Sequence, residues 1–252
     1  MEEGYVKSTE VAGIGVIEFY HPKSNSLPGN LLEELERKIS ELCANDNVKT
    51  VYLRSAGNKA FCAGASFDEL LSVKTKEEGK KFFGGFARVI SAMKNCGKFV
   101  TAKAQGKAVG GGVGLLAAAD YVFAMNDASV KLSEISIGIG PFVIAPVVER
   151  KIGKAAFSEM TIDAEWKSAE WALQKRLFNK VFDDEKEMEE ELKEFLNKLA
   201  SYSSEATAEI KKILWEDSEN LDALLLERAE KSGVLVLGNE ARKFLDGFAN
   251  KK

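Results

Sequence analysis

Apolar and polar positions alternate with a period of two over Tyr5–Val11 and again over residues 13–20, on either side of an Ala12-Gly13 break. This pattern predicts a hairpin of two strands. The period then lengthens. Pro28 stands near the start of a predicted helix that runs to about Ala44, with Leu31, Leu32, Leu35, Ile39 and Leu42 on one face. Residues 48–54 predict a strand, 55–63 a loop and 67–71 a short helix. A longer helix over Lys76–Asn95 places Phe82, Phe83, Phe86, Val89, Ile90 and Met93 at helical spacing, which reads as core. Strands at 99–104, Tyr121–Met125 and 129–132 complete an alternation of strand and helix that predicts an α/β core with mostly parallel pairing.

From Gly153 onward the period is helical throughout, with helices expected at 154–160, 168–174, 185–200, 204–216, 220–237 and 240–250. This divides the chain into a core at 1–184 and a helical region at 185–252. The acidic run 183–191 reads as a solvated helix face. The apolar row Leu221, Leu224, Leu225, Ala229 and Val236 needs cover from the core or from another subunit.

With 252 residues, 45% hydrophobic and 29% charged, the chain has ample core and the balance of a globular protein. A net charge of −4 gives no basic surface for nucleic acid. The apolar run 135–148 is broken by Pro141 and Pro146 and is too short to span a membrane, and no signal peptide is visible at the acidic start. Cys43, Cys62 and Cys96 lie far apart without metal-type spacing, so reduced thiols, no metal and a cytoplasmic location are expected. His21 is the only histidine, and its His-Pro setting points to a turn.

Two stretches carry candidate chemistry. In 105–120, Gly110, Gly111, Gly112 and Gly114 open a helix of small apolar residues, leaving N–H groups and the positive end of a dipole bare. Taken alone, such glycines serve tight packing on a sheet as well as anion binding. In 59–70, Ala63, Gly64 and Ala65 let backbone N–H groups approach a ligand. If the two stretches face each other, two N–H groups converge on one oxygen as an oxyanion hole.

The segment Ala60-Phe61-Cys62-Ala63-Gly64-Ala65-Ser66 and the run Gly106 to Gly112 ending at Asp120 resemble the two signature segments of the enoyl-CoA hydratase/isomerase (crotonase) superfamily. The loop 21–27 resembles that family's early motif, with His21 in place of arginine. The resemblance implies a crotonase-like spiral of ββα units, with a helical C-terminal region that builds trimers or hexamers. It implies a coenzyme A thioester as substrate and no other cofactor. The Ala65 and Gly111 N–H groups would hold the thioester oxygen as it becomes an enolate. Lys23, Asn25, Cys62, Ala63, Gly64, Gly110, Gly114 and Pro141 would line the coenzyme A and acyl site.

Family hydratases carry two glutamates. The first position here is Gly114, and the second aligns with Glu134. Family isomerases that move a double bond from the 3- to the 2-position keep only the second, so the resemblance favours isomerisation with Glu134 as catalytic base. Its apolar neighbours Leu132, Ile135, Ile137 and Ile139 should raise its pKa. Asp68 is a candidate second acid or base that would permit hydration, although first-turn helix acids are common. A non-catalytic acyl-CoA binder is the alternative from another class.

Overall fold

The computed structural model describes residues 3–249; Met1 and Glu2, and the expected last residue of the final helix, Asn250, lie outside it. The hairpin forms as β1 (Tyr5–Val11) and β2 (Ile14–Tyr20), turning through Ala12 and Gly13, both at positive φ. Helix α1 (Gly29–Ala44) follows Pro28, and its five-leucine/isoleucine stripe is buried as predicted. A repeat then begins. β3 (Thr50–Ser55) is followed by β4 (Ala60–Cys62), α2 (Phe67–Ser72) and α3 (Lys76–Asn95). β5 (Val100–Ala104) is followed by β6 (Lys107–Val109) and α4 (Gly111–Ala118), and β7 (Tyr121–Met125) by β8 (Ser129–Lys131), a 3-10 turn at Glu134–Ile137 and α5 (Ala145–Asp163).

Each turn of this spiral adds one strand to each of two sheets. β3, β5 and β7 are parallel neighbours in a six-stranded sheet of order β1-β2-β3-β5-β7-β10, and β4, β6 and β8 are parallel neighbours in a four-stranded sheet of order β4-β6-β8-β9. β9 (Lys167–Ser168), α6 (Ala169–Gln174) and β10 (Lys180–Phe182) close the spiral. This is the α/β spiral of ββα units that the resemblance implies. The short strands β4, β6 and β10 lie where only a loop or no element was expected, because three residues show no measurable alternation, and β9 takes Ser168, the expected first residue of the 168–174 helix, into a strand.

The helices α7 (Glu185–Ala200), α8 (Ser204–Leu214), α9 (Leu221–Leu235) and α10 (Asn239–Ala249) follow. Leu221, Leu225, Ala229 and Val236 are buried within this chain, so much of the C-terminal apolar row is covered by its own core. The main core runs without interruption from Val6 to Ala229. The acidic run on α7 is not purely a solvated face: Glu185 and Glu189 hold the mostly buried Lys103.

Two further differences have clear causes. Helix α5 begins at Ala145, nine residues before the predicted 154, because Pro146 sits in its first turn, where a missing N–H is harmless, rather than breaking it. Gly153, at φ 78 and ψ 155, interrupts that helix and made the second half look like a separate element. Cys43 and Cys96 are joined in a disulfide between α1 and the end of α3, which corrects the expectation of three reduced thiols. Residues 53 apart in sequence are brought together by packing of α1 on α3, a contact that cysteine spacing does not reveal. The state of the cysteines therefore no longer supports a reducing compartment. Cys62 is free and buried.

Candidate active site

Helix α4 is buried along its whole length after Gly111. Its C-terminal end is held by charge: Lys151 donates to the Ala119 carbonyl at 2.8 Å, and the Asp120 carboxylate accepts from the Val100 N–H at 2.7 Å and from the buried Lys211 at 2.5 Å. Its N-terminal end meets the loop after β4. Gly64 lies at φ +84, and a Cβ there would stand 2.9 Å from the Val109 carbonyl oxygen and 3.6 Å from the Gly111 nitrogen. The two glycine-bearing stretches therefore touch through backbone. Leu27 donates to the Gly64 carbonyl at 2.8 Å and Ala63 to that of Ser24 at 3.1 Å, which fixes the loop from its other side.

Gly111 opens α4, where first-turn N–H groups have no intrahelical acceptor. Among the described residues, neither its N–H nor that of Ala65 donates to another backbone group. Both residues line a cavity of about 180 Å³ together with Ala63, Gly64, Gly110, Glu134 and Pro141. Its remaining wall is mainly aromatic and aliphatic, including Phe67, Phe82, Phe83, Phe86, Phe142 and Ile144. Phe82 and Phe83 were expected in the core, yet they are half-buried at the cavity wall.

Glu134 heads the 3-10 turn after β8 and rests on the glycine run: a Cβ at Gly110 would lie 2.7 Å from its Oε1. Gly110 adopts φ 52 and ψ −116, which a side chain would resist. The other carboxylate oxygen, Oε2, is buried without a hydrogen-bond partner. Burial pushes the Glu134 carboxyl up to about 7, opposed in part by backbone N–H bonds from Ser133 and Glu134 itself. A carboxylate poised near neutrality can take a proton and return it.

The structure sets five of the expected residues apart from the cavity. Gly114 is buried under Ile144, whose Cγ2 would lie 2.4 Å from a Cβ there, so the space for a side chain at 114 is already filled by a neighbouring element. Asn25 turns inward and donates to the carbonyls of Ala56 and Ala60 at 2.8 and 2.9 Å, tying the 21–27 loop to β4. Cys62 is fully buried beneath the loop. Asp68 sits in the first turn of α2, paired with Lys23, and both side chains are half exposed to solvent outside the cavity. Ser66 caps α2 through the Glu69 N–H. His21 accepts or donates through Nδ1 to the Ser26 hydroxyl at 3.0 Å, a turn contact as its sequence suggested.

Ser133, Ile144 and Ser232 line the cavity without having been singled out in the sequence. Ser133 adjoins Glu134 and was within reach of a local reading. Ile144 and Ser232 come from α5's leading turn and from α9, and only folding brings them here.

The model of the family described as enoyl-CoA hydratase/isomerase matches residues 9–249. The short-chain-enoyl-CoA hydratase of Clostridium acetobutylicum is 27% identical over 242 residues, 95% of this chain and 92% of that protein. The peroxisomal Delta(3,5)-Delta(2,4)-dienoyl-CoA isomerase of Arabidopsis thaliana is 27% identical over 180 residues, 66% of this chain and 63% of its own. The crystal structure of enoyl-CoA hydratase from Bacillus halodurans superposes with a TM-score of 0.90 at 21% identity, covering 96% of this chain and 99% of that one. With a family model spanning nearly its whole length and the same spiral of strands, this chain belongs to the enoyl-CoA hydratase/isomerase family.

Proposed function

We propose that this enzyme moves the double bond of a 3-enoyl thioester of coenzyme A to the 2-position. The thioester carbonyl lies between the Ala65 and Gly111 N–H groups, which stabilise the oxygen as negative charge develops on it. Each such donor lowers a barrier by roughly 2.7–4 kcal/mol. The Glu134 carboxylate removes a proton from the α-carbon, the electrons spread onto the carbonyl oxygen, and the same carboxyl returns the proton to the γ-carbon. One group suffices because the proton leaves and arrives on one face.

The observation that carries this reading is that, among the described residues, Glu134 is the one carboxylate lining the cavity, while Ile144 fills the room a second would need at position 114. The cavity is smaller than the roughly 300–1,000 Å³ of drug-sized sites, which favours a short acyl chain. Lys23, steadied by Asp68, supplies a cation for the coenzyme A phosphates. Homotrimeric or hexameric assembly belongs to the same proposal, supported by exposed apolar side chains such as Ile213 and Leu214 on α8; sedimentation of the purified protein tests it.

Hydration is the second reading, favoured by the name of the Clostridium relative. Purified protein incubated with 3-enoyl-CoA should gain the absorbance of the conjugated thioester, while 2-enoyl-CoA should keep it. Rapid loss of that absorbance from 2-enoyl-CoA would mean hydration instead. Hydration that survives Glu134→Gln but not Asp68→Asn would overturn the assignment of the base. Binding without turnover of either would mark a non-catalytic acyl-CoA binder.

A further inference from the structure

Among the described residues, three polar side chains line the cavity: Ser133, Glu134 and Ser232. The first two belong to the segment that carries the base. Ser232 comes from α9 and is the one residue that the helices α7 to α10 contribute to the cavity among the described residues. It is 1% exposed, and its Oγ is buried without any hydrogen-bond partner. A serine inside a helix commonly satisfies its hydroxyl by bonding the carbonyl one turn earlier, and a buried hydroxyl left unpaired is unfavourable.

Helix packing explains why this stretch is small but not why it is polar. The next residue, Gly233, lies against the backbone of α3: a Cβ at Gly79 would fall 2.6 Å from the Gly233 Cα. Alanine at 232 would fit the same close crossing without a polar atom.

We infer that Ser232 is a specificity-determining residue whose hydroxyl bonds a neutral oxygen, a hydroxyl or a ketone, on the acyl chain of the thioester. This rests on the thioester reading of the cavity and names its substrate class more closely. A plain alkyl chain leaves the Ser232 hydroxyl unpaired. A carboxylate-tailed chain fits worse, because among the described residues no lysine, arginine or histidine lines the cavity and Glu134 already supplies a negative group.

The test uses saturated acyl-CoA thioesters, so that binding is read without turnover. A plain alkyl compound is compared with a series carrying a hydroxyl or keto oxygen at successive carbons beyond the β-carbon, by calorimetry on wild type and Ser232→Ala. Wild type should bind at least one oxygenated compound about five- to tenfold more tightly than the alkyl one. Ser232→Ala should bring that ratio to one, with alkyl affinity and melting temperature equal to wild type or higher. A ratio near one across the wild-type series, or a preference that Ser232→Ala retains, overturns the inference. The isomerase reading fails separately, when saturated thioesters bind with the stated preference but 3-enoyl-CoA is left unchanged. If no thioester binds wild type, both fall.

Discussion

Glu134→Gln separates the two consequences of placing a carboxyl against Gly110 in an apolar cavity. Burial holds this carboxyl at about 7 against an ordinary 4.5, a gap equivalent to about 3 kcal/mol. The sign follows from which state binds the proton more tightly. A folded-state value above the unfolded one means that the stabilisation from this group is complete below about 4.5 and is lost as pH rises through about 7. Glutamine is neutral at every pH and escapes that loss. The variant should therefore be more stable than wild type by about 2–3 kcal/mol at pH 8, a rise of roughly 5–10 °C in melting temperature for a chain of this size. The gain should shrink below about 1 kcal/mol at pH 5. Thermal melts of both proteins at the two pH values read this directly. In the same variant kcat should fall by roughly 10²–10⁴, and wild-type kcat/KM should climb through about pH 7 as the base ionises. An equal melting difference at pH 5 and pH 8 would refute the buried, uphill carboxyl, and unimpaired turnover would refute its role as base.

Gly110→Ala forces a Cβ to within 2.7 Å of Glu134 Oε1 at an unfavourable φ; it should destabilise by about 1–3 kcal/mol and lower kcat more than it raises KM, and unchanged kinetics would sink the contact. Gly114→Glu alone should destabilise by more than about 3 kcal/mol, because Ile144 already fills the site. Adding Ile144→Ala should restore part of that loss, whereas a wild-type melting curve for the single variant would show that the position is open. The Cys43–Cys96 disulfide ties residues 53 apart, so Cys43→Ser with Cys96→Ser should lower stability by up to about 4 kcal/mol on the chain-entropy account. Identical melts for the double variant and for wild type lacking free thiols at 43 and 96 would contradict it.

Local signals carried much of the architecture. The leucine stripe of α1 and the alternation of β1 and β2 act between neighbours a few residues apart, so the sequence displays them directly. The glycine run and the Ala63-Gly64-Ala65 loop were legible because small residues announce backbone approach, and Glu134 because it stands at the second glutamate position of the family that the sequence resembles. The acidic face of α7 is largely solvated, as its composition suggests, but the hold of Glu185 and Glu189 on Lys103 was hidden, since Lys103 lies on β5, far away in sequence.

By itself, then, the sequence determined the order of the longer strands and most helices, the two stretches of exposed backbone and the absence of a side chain at 114. Tertiary structure alone decided what those features mean together. Gly64 meets Gly111 only because β4 and β6 pair side by side, and Gly114 is sealed only because the chain leading into α5 folds Ile144 back over α4. Asn25 and Asp68, polar and therefore plausible as ligands, were drawn respectively into a buried clamp on β4 and a solvent-side ion pair. The pairing of Cys43 with Cys96 and the placement of Ser232 in the cavity depend on which helix faces cross. Such contacts are set by the packing of surfaces distant along the chain, and no local period encodes them.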